Sequence, residues 1–142
     1  MAVQCLCTSV RQLARRMTSI YEAHLGPHGI TAPQFSILQR LHQLAPVANL
    51  EFATHMGMDR TTLSRGLKPL IAAHWVETVD MPEGTVIDKR SFGLQLTAAG
   101  LEKYTSSRVA WLAAQAETRK ALGPVLSEAL LATTHEVYEA LA

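Results

Sequence analysis

Apolar residues recur at helical spacing near the beginning of the chain and define its first predicted element. They are separated alternately by four and three residues, at Leu6, Val10, Leu13, Met17 and Ile20. This spacing places them in one heptad-like seam on a helix of about twenty residues. Gly26-Pro27 is expected to end that helix.

A capping box predicts where the second helix begins. In Thr31-Ala-Pro-Gln34 a hydroxyl and an amide side chain are three residues apart, and proline is tolerated in a first helical turn. Phe35, Leu38 and Leu41 form an inner face, and the helix should end near Ala45-Pro46.

The C-terminal third of the chain predicts a long helix and then a shorter one. Thr97 is expected to cap the long helix, which should reach about Leu122 and be broken by Gly123-Pro124. The residues predicted on or near its apolar side are Leu101, Tyr104, Trp111 and Leu112. The last helix carries an apolar stripe at Leu126, Leu130, Val137 and Leu141.

Between these elements, the pattern predicts two short helices joined by a tight turn. The first should run from about Leu50 to Met56, with Asn49 as its N-cap. Gly57 is the residue type that ends a helix in a left-handed conformation, and Asp59 is a strong N-cap for a second helix. This order is typical of a helix-turn-helix.

The second of these helices, from Arg60 to about Ala73, has one apolar face and one polar arc. The apolar face holds Leu63, Leu67 and Leu70, and Pro69 is expected to bend the helix locally. The opposite arc is free of acids and holds Arg60, Thr61, Ser64, Arg65 and Lys68. Such side chains can contact base edges and phosphates in a DNA major groove, although a solvated helix face has the same composition.

A β-hairpin is predicted after the helix-turn-helix. Val76 to Asp80 alternates as a half-buried strand does, Met81-Pro-Glu-Gly84 signals a turn, and Phe92, Leu94 and Leu96 mark the return strand. The intervening loop carries Asp88, Lys89 and Arg90. A basic loop here favours a wing that enters the minor groove or holds phosphate, the alternative being an ordinary charged hairpin loop.

Three segments occur in a fixed order: Met58-Asp-Arg-Thr-Thr-Leu-Ser-Arg65, Leu67-Lys-Pro-Leu70 and Asp88-Lys-Arg-Ser-Phe-Gly-Leu-Gln-Leu-Thr-Ala-Ala-Gly100. Together they resemble the MarR family of bacterial transcription regulators. The resemblance extends over nearly the whole chain, and it implies a recognition helix, with a wing arginine at Arg90 and a wing acid at Asp88. The recognition helix residues that it implies are Arg60, Thr61, Thr62, Ser64, Arg65 and Lys68. The chain departs from the family pattern at His74, where a glycine is frequent.

The resulting fold prediction is mainly α with a small β-hairpin wing (α+β), in a single domain of residues 1–142. Residues 31–96 would form the winged helix-turn-helix DNA-binding lobe, and residues 1–25 and 98–142 the dimerisation helices. A helix-turn-helix dimer presents two recognition helices to half-sites about one DNA turn apart. The alternative is that the terminal apolar stripes pack only within one chain.

Charge and length limit the function further. The 142 residues carry a net charge of only +1, so DNA affinity must come from a local basic patch and from two copies binding together. No apolar run approaches the roughly 18 residues of a membrane span, and no signal-peptide core is visible, so a cytoplasmic protein is expected.

A small-molecule effector, aromatic or anionic, is implied by the resemblance, at the place where the DNA-binding lobe meets the dimer helices. Arg15, Arg16, Tyr21 and His24 are the candidate effector-binding residues, and an arginine could pair with a carboxylate. The simpler alternative is that both arginines face solvent.

Cys5 and Cys7 leave three interpretations open. They could be buried apolar residues of a dimer seam, oxidant-sensing thiols, or metal ligands together with a histidine. An internal disulfide is not expected, because residues two apart on a helix do not face each other.

No metal site, cofactor motif or catalytic constellation is visible, so an enzyme is not expected. A winged-helix protein-interaction module without DNA binding is the remaining alternative.

Overall fold

The computed structural model describes residues 4–84 and 89–142, which form five α-helices, one 3-10 turn and three short strands. The helices are α1 (Leu6–Leu25), α2 (Ala32–Leu44), α3 (Asn49–Met56), α4 (Arg60–Ala72) and α5 (Ala98–Ala140), and the 3-10 turn is Gly26–His28. The strands are β1 (Val47–Ala48), β2 (Val76–Val79) and β3 (Gly93–Leu96). The mainly helical fold with a small antiparallel sheet is therefore confirmed.

The chain divides into two compact units, each with its own internal packing. Unit 1 comprises Met1–His28 and Val109–Ala142, and unit 2 comprises Gly29–Arg108. Among the described residues, no helix has both the length and the apolar content that crossing a lipid bilayer requires.

Unit 2 is built on a core of leucine and phenylalanine side chains from α2, α3 and α4. Its fully enclosed members include Phe35, Leu38, Leu41, Phe52 and Leu70. Phe35 also packs against Tyr104 with ring centroids 5.6 Å apart, and His42 lies 4.7 Å from the same tyrosine ring. These contacts fix α2 and the first turns of α5 within the unit.

The sheet of unit 2 has the order β1-β3-β2, and both pairings are antiparallel. Val76 pairs with Leu96 and Val79 with Gly93, which confirms the predicted hairpin. On the other edge, Val47 pairs with Leu94 and Ala48 with Gly93. The two-residue strand β1 is too short to give an alternating pattern, and the sequence analysis did not predict it.

Unit 1 contains α1 and most of α5, whose long helical course is interrupted once. Gly123 has φ 75° and ψ 166°, which is outside the helical region and suits glycine, and Pro124 follows it. This confirms the predicted break. The ion pair between Arg119 and Glu128, at 3.0 Å, joins the segments before and after it.

Several predicted helix boundaries are confirmed by specific contacts. The Thr31 hydroxyl accepts a hydrogen bond from the Gln34 N–H at 3.3 Å, and the Gln34 side chain accepts from the Thr31 N–H at 3.1 Å, which completes the capping box. The Thr97 hydroxyl accepts from the Gly100 N–H at 2.9 Å at the start of α5. His74 has φ 59°, a conformation that histidine tolerates better than most residues.

One local prediction is wrong. Asn49 is not the N-cap of α3: Ala48 takes that position, and the Asn49 side chain bonds to Phe92 instead. On α5, Leu101 and Leu112, which were predicted on or near the apolar side, are 45% and 43% exposed in the single chain. The buried positions of that helix are mostly small residues, which let neighbouring segments come close: Gly100, Tyr104, Ser107, Ala110, Ala114, Thr118 and Ser127.

Candidate nucleic-acid interface

The turn between α3 and α4 has the geometry of a helix-turn-helix. Gly57 ends α3 in a left-handed conformation, with φ 62° and ψ 32°, as predicted. The Asp59 carboxylate accepts a hydrogen bond from the Thr62 N–H at 2.7 Å and caps α4. This hydrogen bond has the largest effect in lowering the pKa of Asp59, and a hydrogen bond from the Thr62 side chain has the next largest. The carboxylate therefore stays charged at neutral pH, where it satisfies the free N–H groups at the start of α4.

The buried face of α4 decides where its polar side chains point. Leu63, Leu67 and Leu70 are at most 4% exposed, which holds one side of the helix against the core of unit 2. The opposite side is open to solvent, and all six predicted recognition residues are exposed: Arg60, Thr61, Thr62, Ser64, Arg65 and Lys68. Among the described residues, none of the three cations pairs with a carboxylate. The arc can therefore hold an anionic partner without first breaking an internal ion pair.

Pro69 lies on this helix and removes one backbone N–H. The helix nevertheless continues from Arg60 to Ala72, so the predicted recognition residues before Pro69 lie on one uninterrupted helix.

The hairpin places two further cations on the surface of unit 2. Lys89 and Arg90 are exposed and lie in a turn shortly before β3. Within the hairpin, the Gln95 side chain donates a hydrogen bond to Glu77 at 2.8 Å across the β2–β3 pair. Asp88, the predicted wing acid, lies outside the described residues.

A cavity of about 370 Å³ lies between α4 and the sheet. Its lining combines apolar side chains, such as Phe92, with five polar ones. The polar residues are Asn49, Arg60, Ser64, Lys68 and Thr78. Phe92 is 38% exposed and Ile71, also in the lining, is 39% exposed. The base of the hairpin and the polar arc of α4 therefore border one recess.

The candidate effector residues lie on α1 in unit 1. Arg15 and Arg16 are exposed and border an open depression together with Gln12 and Ser19. Tyr21 donates a hydrogen bond from its hydroxyl to Gln115 at 2.6 Å, and burial raises its pKa. His24 Nε2 lies 2.6 Å from a Glu117 carboxylate oxygen. The arginines thus face solvent, whereas Tyr21 and His24 are engaged with α5.

Both cysteines are free thiols and are exposed in the single chain. Cys5 occupies the N-cap position of α1. Hydrogen bonds from Thr8 stabilise the Cys5 thiolate and lower the pKa of Cys5. The larger effect comes from the Thr8 hydroxyl and the smaller from the Thr8 backbone N–H. Within the described residues, no three His, Cys, Asp or Glu side chains lie close enough together to hold a metal ion.

Comparison with known proteins finds similarity to one family. The family model that matches residues 30–83, from α2 through the hairpin turn, is that of the MarR family. Over these residues the chain resembles the MarR family. The multiple antibiotic resistance protein MarR of Escherichia coli is 28% identical over 91 residues, which is 64% of this chain and 60% of that protein. The aligned region thus spans less than two thirds of that curated relative.

Solved MarR-family structures share the fold over nearly the whole chain. The transcriptional regulator MosR of Mycobacterium tuberculosis, in complex with DNA, is 27% identical with a TM-score of 0.80, over 97% of this chain and 98% of that one. PcaV of Streptomyces coelicolor, in complex with its natural ligand, is 20% identical with a TM-score of 0.82 and matches all of both chains. The MarR family is one of transcription regulators and not of enzymes.

The polar arc and the two basic residues of the hairpin were predictable from the sequence, but the contact between α3 and the base of the hairpin was not. Asn49 and Phe92 are 43 positions apart, and neither belongs to a local motif that predicts their hydrogen bonds. The clearest available signal was a polar residue directly between two apolar stretches, which the helix-capping interpretation already explained.

Proposed function

We propose that this chain is a homodimeric transcription regulator of the MarR type, which binds a near-palindromic DNA operator. It acts as a repressor and releases the operator in response to a small molecule. The observation that supports DNA binding best is the exposed, acid-free arc of α4, which three buried leucines hold outward. No other helical surface of unit 2 that the structure describes has this combination of exposed cations and hydroxyls directly after a capped turn.

The chemistry of the arc suits a major groove. Arg60 and Arg65 can each donate two hydrogen bonds to a guanine edge, whereas Lys68 is suited to a phosphate. Thr61, Thr62 and Ser64 can bond to base edges, and a threonine methyl can contact thymine. Lys89 and Arg90 would add contacts to phosphate or to the minor groove beside it.

The proposal of a homodimer is supported by the exposed apolar surface of unit 1. On α1, Leu6 is 84% exposed and Val10 63%, and toward the C-terminus Val125 is 84% and Leu141 81% exposed. Contiguous apolar surface of this kind marks a protein interface, since soluble monomers rarely expose it. A groove of about 530 Å³ with an almost wholly apolar lining runs between α1 and the last helical segment. We infer that a second copy covers these faces.

The dimer also explains how a nearly neutral chain would bind DNA. With a net charge of +1, one chain has no strong overall attraction for phosphate, so the three cations of the arc must act in two copies. Two-fold symmetry would present the two arcs to equivalent half-sites.

A small-molecule response fits the same arrangement through linkage. A ligand weakens DNA binding only if it binds better to a conformation whose arcs do not match the operator. PcaV is solved with its natural ligand, which shows that a protein of this fold can carry one. We propose an aromatic or anionic effector, for which Arg15 and Arg16 offer exposed guanidinium groups.

DNA binding is tested by fluorescence anisotropy with the DNA upstream of the gene that encodes the chain, in a series of salt concentrations. The proposal predicts a saturable complex that resists competitor DNA and weakens steeply as salt rises. Binding that is insensitive to salt, or no binding to any DNA, would contradict it and favour a protein-interaction module.

A second candidate signal is oxidation of Cys5. Cys5 occupies the N-cap position of a helix of 20 residues, and its thiol is exposed and has a lowered pKa, which are conditions that favour attack on a peroxide. The sulfur would attack one peroxide oxygen, the O–O bond would break, and sulfenic acid and water would form. Peroxide should then change DNA affinity in the wild type and in Cys7→Ser, but not in Cys5→Ser or in the double variant. An unchanged wild type would exclude this signal.

A further inference from the structure

Asn49 makes two hydrogen bonds to a single residue at the base of the hairpin. Its backbone N–H donates to the Phe92 carbonyl at 3.0 Å, and its side-chain Oδ1 accepts from the Phe92 N–H at 3.3 Å. Asn49 is only 8% exposed, and its side-chain bond to Phe92 is partly buried. The two residues are therefore joined like a pair in a strand ladder, with one side-chain atom in place of a carbonyl.

The path of the chain explains why a side-chain oxygen takes the place of a backbone carbonyl in this pair. Val47 and Ala48 pair with Leu94 and Gly93, so the next pair along the antiparallel ladder would be Asn49 and Phe92. Asn49, however, is the first residue of α3, and the carbonyls of a first helical turn accept bonds from that helix. The side-chain amide oxygen supplies the acceptor that the backbone has turned away, so the Phe92 N–H does not stay unpaired.

This contact lies where the hairpin meets the helix-turn-helix. Phe92 directly precedes β3 and is two residues after Arg90, a distance that the chain spans in at most about 7 Å. Asn49 and Phe92 both border the recess that Arg60 and Lys68 of the recognition helix also line. A shift of Phe92 would therefore move Arg90 relative to the arc of α4.

We infer that Asn49 is a positioning residue for DNA binding, which holds Arg90 at a fixed place relative to the recognition helix by clamping Phe92. This inference rests on the proposed DNA-binding function. Asn49 acts through Phe92, because its side-chain oxygen accepts the Phe92 N–H and the residue is only 8% exposed. Its contribution to affinity should consequently exist only while the arginine that it positions is present.

A double-mutant cycle tests this dependence on the full-length protein. Arg90→Ala should weaken operator binding by about tenfold or more, and Asn49→Ala by about threefold or more, because a loosened wing loses part of that contact. In the Arg90→Ala background, Asn49→Ala should change affinity by less than about 1.5-fold, since no wing arginine remains to be positioned. In the Arg65→Ala background, Asn49→Ala should keep its full effect.

Hydrogen exchange of the Phe92 amide provides a readout that does not depend on DNA. The amide should be protected in the wild type and in Asn49→Asp, which keeps the acceptor oxygen, and should exchange at least about tenfold faster in Asn49→Ala. If Asn49→Ala does not fold, Asn49→Ser replaces it, because its shorter hydroxyl keeps a polar group but cannot reach the Phe92 N–H.

Two outcomes would overturn the inference while leaving the proposed function intact. One is that the wild type binds DNA and the losses from Asn49→Ala and Arg90→Ala simply multiply. The other is that Asn49→Ala leaves both affinity and Phe92 exchange unchanged. A wild type that binds no DNA would instead overturn the proposed function, and the positioning role would fail with it.

Discussion

Removing the Arg65 side chain is the perturbation whose size follows most directly from the proposed interface. The side chain is exposed on the polar arc of α4 and has no carboxylate partner among the described residues, so Arg65→Ala leaves no buried group unpaired. One specific base contact contributes about 1–3 kcal/mol. A dimer loses two of them, which gives about 2–6 kcal/mol, or roughly 30-fold to more than 10⁴-fold weaker binding.

The assay compares operator affinity with affinity for unrelated DNA, at several salt concentrations. If Arg65 contacts bases, Arg65→Ala should reduce specific binding much more than non-specific binding, with little change in the salt slope. If it contacts phosphate, both should weaken, and the magnitude of the slope should fall by about one for each lost contact, or about two for each dimer.

Arg108→Ala is the matched control. Arg108 is also an exposed arginine, but it lies on α5 rather than on the arc, and its removal changes the net charge equally. The control should bind the operator within about twofold of the wild type, because surface substitutions away from a contact have small effects. An Arg65→Ala protein that is folded and dimeric, yet binds as the wild type does, would refute the assignment of α4 as the recognition helix.

Three further predictions concern the scaffold. Gly100→Ala should lower the free energy of unfolding by about 1–3 kcal/mol or more, because a Cβ there would lie 1.8 Å from the Trp75 carbonyl oxygen. In the control Gly26→Ala the new Cβ meets nothing within 4 Å, so the free energy of unfolding should change by less than about 1 kcal/mol. Both variants are measured by urea unfolding at equal protomer concentration. Leu13→Glu places a charge on the exposed seam of α1 and should shift sedimentation toward monomer, and an unchanged dimer would contradict the proposed interface. The pKa of Asp59 is lowered from 3.8 in the folded protein, so the charged carboxylate stabilises the fold above pH 3.8, and this stabilisation is lost as the pH falls through the lowered pKa. Asp59→Ala should lack this part of the acid dependence when urea unfolding is measured between pH 7 and about pH 3.

The elements that depend on local sequence were predictable. Thr31 with Gln34, Asp59 with Thr62, and Gly57 each act over three or four residues, and their capping contacts follow from residue type and spacing. The outward direction of Arg60 to Lys68 was also predictable, because it is the complement of the leucine stripe. These contacts are local, so one stretch of sequence contains all the information they need.

The features that sequence analysis missed depend on partners far along the chain. β1 exists because Val47 and Ala48 lie beside β3, and two residues alone carry no strand signal. Asn49 is a plausible N-cap by type, but the nearby Phe92 takes its side chain instead. On α5, Leu101 and Leu112 are exposed in the single chain, while Ala114 and Ser107 are fully buried, so close approach of neighbouring segments outweighed residue hydrophobicity.

The measurement that tests the central claim most directly is selection of bound sequences from a random DNA library by the purified protein, followed by footprinting of the selected site and determination of its stoichiometry. The account predicts one enriched, near-palindromic site with half-sites about 10 base pairs apart, centre to centre, that is occupied by two chains. Enrichment of no sequence, or a site that one chain occupies without two-fold symmetry, would contradict it.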